Sequence, residues 1–148
     1  MYPYVFSLHV LAATIWTGGH LVLALTVLPR AVRARSPQML LQFEQSYEHV
    51  GMAALAIQIA SGLWMALQLV PDWGQWFSPD TGMEQAIALK LALLAATALV
   101  AAHARLRVIP QLRPETLPLM AWHVAAITLL GVAFVLTGIS FRYGGVGG

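Results

Sequence analysis

The chain has no cysteine among its 148 residues. Disulfides, thiolate metal sites and thiol catalysis are therefore excluded. Charge is nearly as scarce: 9% of residues, where a soluble domain carries about a quarter. With 59% of residues hydrophobic, the chain has more apolar surface than an ordinary core can hide, so lipid must be part of its solvent. No low-complexity segment and no evident internal repeat breaks the pattern. The first segment lacks the basic n-region and small-residue cleavage site of a secretory signal, and is expected to remain as a span. The net charge of +2 and isoelectric point near 9.4 do not require a nucleic-acid partner, because few residues produce them and membrane topology accounts for their placement.

What remains is four long apolar segments, at about residues 4–28, 45–70, 85–107 and 119–141, each near the roughly 20 residues that a bilayer requires. The expected fold is all-α: an integral membrane four-helix bundle, one domain over 1–148. The first segment stops at Pro29-Arg30, and Ser36-Pro37 reads as the start of the next helix. That helix begins amphipathic (Phe43, Glu44, Tyr47, Glu48) and turns fully apolar from about His49. Pro71 to Asp80 is a loop with Trp73 and Trp76, residues that favour the headgroup level. Pro110, Arg113, Pro114 and Pro118 mark a short, stiff connection. A glycine-rich tail follows the fourth span.

Arginine placement sets an expected orientation. Arg30, Arg33 and Arg35 lie in the first loop and Arg105, Arg107 and Arg113 around the third, whereas the tryptophan loop has no Lys or Arg. Positive loops stay in the cytoplasm. Both termini are then periplasmic, in a multi-pass protein of a bacterial inner membrane.

Ionisable groups inside spans are costly and mark function by default. Here they are His9 and His20 on span one, His49 at the head of span two, Lys90 and His103 on span three, and His123 on span four. His9 and Lys90 lie about one turn below the outer surface. His20, His49, His103 and His123 fall in the cytoplasmic half, with His20 and His123 about 12 and about 9 Å from the inner boundary, so depth allows those two to face each other. His9, Trp16 and His20 share one helix face. Imidazole ligates haem iron, copper and zinc, and histidines on facing helices are a usual way to build a site in a bundle. Plainer readings stand beside these. His49 and His103 can be interfacial, Lys90 can snorkel outward, and Gln58, Ser61, Thr128 and Thr137 suit interhelical hydrogen bonds. The pairs His49/Met52 and Met120/His123 share helix faces and would suit Cu(I), although methionine is also common filler. Gly18, Gly19, Gly51, Gly62, Gly131 and Gly138 are expected to permit close helix contact.

The residues also carry a resemblance over nearly the whole chain. Its anchors are His9 and Trp16 followed by Gly18-Gly19 and Pro29-Arg30, then Ser61-Gly62-Leu63-Trp64, Lys90-Leu91-Ala92-Leu93, and Arg105-Leu106-Arg107 leading to Pro110. In their order and spacing the chain resembles the CopD-type copper-resistance membrane domain and its relative HemJ, the four-span b-haem protein that oxidises protoporphyrinogen IX. For HemJ the resemblance implies that His9 and Lys90 flank a haem in the outer half. The chain departs from that pattern in a longer interval from Trp16 to Pro29, in His20, and in Trp122-His123 where these families carry a carboxylate. It reads as a histidine-richer member with its own arrangement.

Two functions follow. The first is a membrane b-type haem redox protein, with His9, His20, Lys90, His123, His49 and His103 around haem b and a quinone, small oxidisable substrate or periplasmic redox carrier as partner. The alternative is a copper-handling transporter or permease domain, with His20, His49, His103 and His123 as ligands and a periplasmic copper carrier as donor. Histidines spread over four helices at two depths favour haem in this reading. A structural subunit whose histidines merely bridge helices is a third possibility. Catalytic residues are not assigned, and self-association is open.

Overall fold

In the computed structural model residues 1–143 are described, and the glycine-rich tail at 144–148 lies outside them. Four helices are long and apolar enough to cross a membrane: α1 (Tyr2–Arg33), α2 (Pro37–Leu69), α3 (Gly82–Gln111) and α4 (Pro114–Ser140). In hydrocarbon no water serves the backbone, so N–H and C=O groups must pair within the segment, and the helix does this locally. Even α4, with 27 residues, reaches about 40 Å at the α-helical rise, beyond the roughly 30 Å of a hydrocarbon core. The fold is an all-α bundle, and the chain is a multi-pass membrane protein.

The helix ends follow local chemistry. Ser36 is extended ahead of α2, with Pro37 at the first helical position, where its missing N–H costs nothing. Thr81 and Glu84 form a reciprocal capping box at the start of α3. The left-handed backbone of Arg35 (φ 49°) reverses the chain between α1 and α2, a role glycine usually takes.

Pro29 and Pro110 would each leave a carbonyl unpaired and crowd it in a regular α-helix. The chain answers both in the same way. A π-helical turn at Leu23–Val27 precedes Pro29, and another at Ala104–Val108 precedes Pro110. The first expected span therefore does not stop at Pro29, and the helix carries on to Arg33 because the wider turn absorbs the proline. Pro118 likewise belongs to the first turn of the α-helical part of α4 rather than to the connection.

These corners reveal a repeat that composition hides. Leu25-x-Val27-Leu28-Pro29 leads to Pro37-x-Met39, and Leu106-x-Val108-Ile109-Pro110 leads at the same spacing to Pro118-x-Met120. The two corners meet in one apolar cluster built on Ala31, Leu40 and Leu117, with Val27, Met39 and Met120 packed against it. Each hairpin, α1–α2 and α3–α4, thus has the same turn at this basic-loop end.

Two further clusters complete the packing. At mid-bundle Ala12, Trp16, Ala54 and Ile127 gather with Leu55 and Val100, so all four helices contribute. At the tryptophan-loop end Val70, Trp76 and Ile87 pack with Met83 and Phe141. Trp76 is buried and donates its indole N–H to the Val70 carbonyl at 3.0 Å, whereas Trp73 is exposed. Met83 sits in the first turn of α3. Large apolar side chains such as Leu25 and Leu99 face outward, as suits a lipid-facing surface.

Glycine lets the helices approach. A Cβ on Gly131 would lie 3.2 Å from the Trp16 ring and 3.3 Å from Thr17, while one on Gly18 would meet nothing within 4 Å. Gly131→Val is expected to lower the melting temperature of the detergent-solubilised protein by several degrees, since overpacking costs about 1–3 kcal/mol. Gly18→Ala should leave it unchanged or raise it slightly, because alanine favours helix by up to about 1 kcal/mol. Thermal unfolding followed by circular dichroism compares the two.

Candidate functional site

The polar side chains of the interior form a series along the bundle. Nearest the tryptophan loop, His9 is half-buried, and its Nδ1 lies 2.8 Å from Ser61 Oγ on α2. The Ser61 hydroxyl donates to the Ile57 carbonyl at 2.6 Å, so its oxygen accepts from His9 Nδ1–H. The neutral ring then keeps its lone pair on Nε2. Gly62 makes room for this ring, since a Cβ there would stand 3.1 Å from His9 Cε1. Lys90 lies within coulombic range of His9. Its ammonium sits 4.9 Å from the Phe141 ring centroid, over the space left by Gly138. No carboxylate pairs with Lys90 among the described residues, and the ring quadrupole supplies part of the missing negative charge. Lys90 is thus tucked beneath an aromatic ring rather than simply snorkelling.

One level further in, two buried polar atoms have no hydrogen-bond partner among the described residues: Gln58 Oε1, one turn before Ser61, and Thr17 Oγ1. Each unmet group costs about 1–3 kcal/mol, a cost that natural cores avoid unless the group has a use. Thr17 is followed on α1 by His20, whose Nδ1 donates to the Trp16 carbonyl at 2.8 Å. The His20 ring packs on Trp16 at 4.4 Å and meets Tyr47 edge-on at 6.0 Å. Tyr47 wedges its ring between Gly19 and Gly51 and donates to the Ile15 and Trp16 carbonyls at 2.9 and 3.1 Å. The amphipathic reading of α2 passed over Tyr47; the glycine one turn later was the available signal. Thr128 on α4 reaches the His20 carbonyl at 3.3 Å as well as its own helix, whereas Thr137 bonds only within its helix.

At the basic-loop end two histidines pair. His103 Nδ1 lies 2.8 Å from His123 Nε2, with the ring planes 11° apart and their centroids at 5.0 Å. His123 Nδ1 donates to the Leu119 carbonyl at 2.8 Å. A carbonyl only accepts, so the His123 lone pair is on Nε2, and the proton between the rings belongs to His103. Depth allows His20 to face His123, but the bundle does not use that pairing: His123 turns to His103, and His20 to Trp16 and Tyr47. Hydropathy places a residue in depth but leaves the rotation of its helix open.

His49 is exposed, beside the Glu48 that pairs with Arg105, and Met52 next to it is exposed as well. The His49/Met52 pair therefore does not enter the bundle, and Met120 is engaged in the apolar corner. Among the described residues no group of three or more His, Asp or Glu could hold a metal ion, so His20, His49, His103 and His123 do not converge on one centre.

The family described as copper resistance protein D, CopD, matches residues 41–141. The chain belongs to the CopD family. No curated protein and no solved structure matches it. The match spans α2 from Leu41 through Phe141, so it takes in Ser61, Lys90, His103 and His123 and leaves His9 and His20 outside. The CopD description relates the family to copper, and it lends no support to haem b.

The hydrogen bonds dictate tautomers that can be read directly. Long-range nitrogen–proton NMR of labelled protein is expected to show His9, His20 and His123 as Nδ1–H tautomers when neutral. Ser61→Ala should release His9 alone into tautomer exchange. An Nε2–H form at His123 would contradict the geometry.

Proposed function

We propose that this CopD-family chain handles copper in the membrane, passing the ion through the bundle along its polar series. The observation that carries the reading is the family match over residues 41–141. The interior supplies donors of the right chemistry. Neutral imidazole suits copper, and His9 and His20 each keep an Nε2 lone pair when Nδ1 is spent on a neighbour. Between them the oxygens of Gln58 and Thr17 stand unmet, ready to receive an ion or its water. A conducting path needs binding that is favourable enough to enter and weak enough to leave. Donors that are scattered among the described residues, rather than gathered in one closed site of three ligands, agree with passage. Copper is then cargo, and a periplasmic copper carrier is the fitting donor. The arginine distribution supports an orientation with both termini outside and the paired corners in the cytoplasm.

Lys90 has a place in this reading. Its charge opposes a cation at the level of His9 and sets a barrier there, so its substitution changes entry rather than binding further in.

Copper flux into proteoliposomes tests the function. His9→Ala and His20→Ala are each expected to lower the initial rate about tenfold or more, on the scale of losing a metal-orienting partner, while His49→Ala leaves it unchanged. A wild-type protein that neither binds nor moves copper overturns the reading. So would a Soret band with paired α and β bands in protein purified from haem-supplemented cells, since haem b would then be the occupant. Orientation is tested separately, because a chain with no cysteine gives a clean background. Ser78→Cys should react with an impermeant thiol reagent from the outside of intact cells, and Ser36→Cys only after the membrane is opened.

A further inference from the structure

The pair His103–His123 lies at the opposite end of the bundle from His9, and neither the anchors of the resemblance nor the polar series between His9 and His20 accounts for it. Its geometry has three features of a metal-binding pair. The two ring nitrogens point at each other, 2.8 Å apart, across helices α3 and α4. His123 spends its other nitrogen on the Leu119 carbonyl, the usual way in which a backbone acceptor orients a metal-ligating imidazole and fixes its tautomer. And His103 is exposed, so its ring can move while His123 stays anchored.

We propose that His103 and His123 form a two-imidazole site for Cu(I), the point at which the ion leaves the bundle at the basic-loop end. The inference rests on the copper reading above. In the metal-free pair, the proton on His103 Nδ1 bridges to His123 Nε2. On binding, that proton moves through solvent to His103 Nε2, and the ion takes its place between Nδ1 and Nε2. Both imidazoles remain neutral, no electron is transferred, and no proton is lost overall. Two nitrogen–metal bonds of about 2.0 Å in line need the nitrogens about 4 Å apart. The exposed His103 ring must therefore swing outward by a little over 1 Å. A closed-shell monovalent ion accepts such a linear pair, whereas Zn(II) calls for four ligands, and among the described residues no third His, Asp or Glu joins the two.

The surroundings suit release rather than storage. His103 lines a cavity of about 460 Å³ with Arg107, Val108, Gln111 and Leu119, which gives the ion a way out. Arg107, one turn after His103, places a fixed positive charge at that mouth and weakens the hold on a bound cation. The π-helical turn at Ala104–Val108 begins directly after His103, and such turns re-aim side chains at functional sites.

The experiment is an anaerobic titration of the detergent-purified full chain with Cu(I) against a chromophoric chelator, with the imidazole nitrogens followed by NMR. His103 Nδ1 and His123 Nε2 are expected to shift together as one Cu(I) binds. His103→Ala and His123→Ala should each weaken that event about 100-fold or more, His49→Ala should leave it within about twofold, and Arg107→Gln should tighten it. Unaltered Cu(I) affinity in both histidine variants, or no shift at either nitrogen in the wild-type protein, overturns the pair as a site. Copper flux into proteoliposomes separates this from the broader reading. Flux without Cu(I) at the pair overturns the site alone, and Cu(I) at the pair without flux overturns the transport function alone.

Discussion

In the hydrocarbon layer no water is present to satisfy a polar atom, and the rest of this structure depends on that. The backbone answers with four uninterrupted helices. Where Pro29 and Pro110 would break the ladder, a π-helical turn widens it and the helix continues. The side chains answer in the same way. Ser61, Thr128, Thr97 and Thr137 each donate to a carbonyl one turn back on their own helix, and His20 and His123 do the same through Nδ1.

This economy of donors has a chemical consequence. A histidine that gives its Nδ1 proton to a neighbour presents a lone pair on Nε2 when neutral. The interior therefore displays basic nitrogen rather than N–H, which suits a cation far better than an anion. Gln58 Oε1 and Thr17 Oγ1, the atoms that break the rule of satisfaction, are oxygens and carry lone pairs as well. Lys90 is the one formal charge in this region among the described residues, and it rests against Phe141 rather than a carboxylate.

Small residues and aromatics place these groups. Gly62 admits His9, Gly131 admits Trp16 and Thr17, and Gly19 with Gly51 admits Tyr47. Gly62, Gly131 and Gly19 each remove a Cβ where a ring from another helix must pass, and Gly51 makes room for Tyr47 of its own helix, so van der Waals contact replaces the hydrophobic drive that lipid cannot supply. The two proline corners pack on one another through Ala31, Leu40 and Leu117 and tie the hairpins together at the end where His103 meets His123. The exposed Glu48–Arg105 pair adds a further link between α2 and α3 there, of the modest strength usual for solvated ions.

Membrane residence, four spans and the kinship with CopD were all legible in the order of residues. Each depends only on hydropathy, helical rise or local motif, quantities summed along one chain segment. His9, Trp16 and His20 on a common face followed from helical period alone, and the glycines were rightly read as contact points, Gly18 excepted. Partnership was not legible. That His123 meets His103 and not His20, that His49 and Met52 look outward, that Tyr47 reaches the carbonyls of α1, and that two proline corners meet in one cluster were decided by how each helix turns about its own axis against its neighbours. In an almost uniformly apolar helix the amphipathic signal that would set that rotation is nearly absent. It is settled instead by where glycine lets a ring pass and where a polar atom finds its acceptor, and both are properties of the assembled bundle.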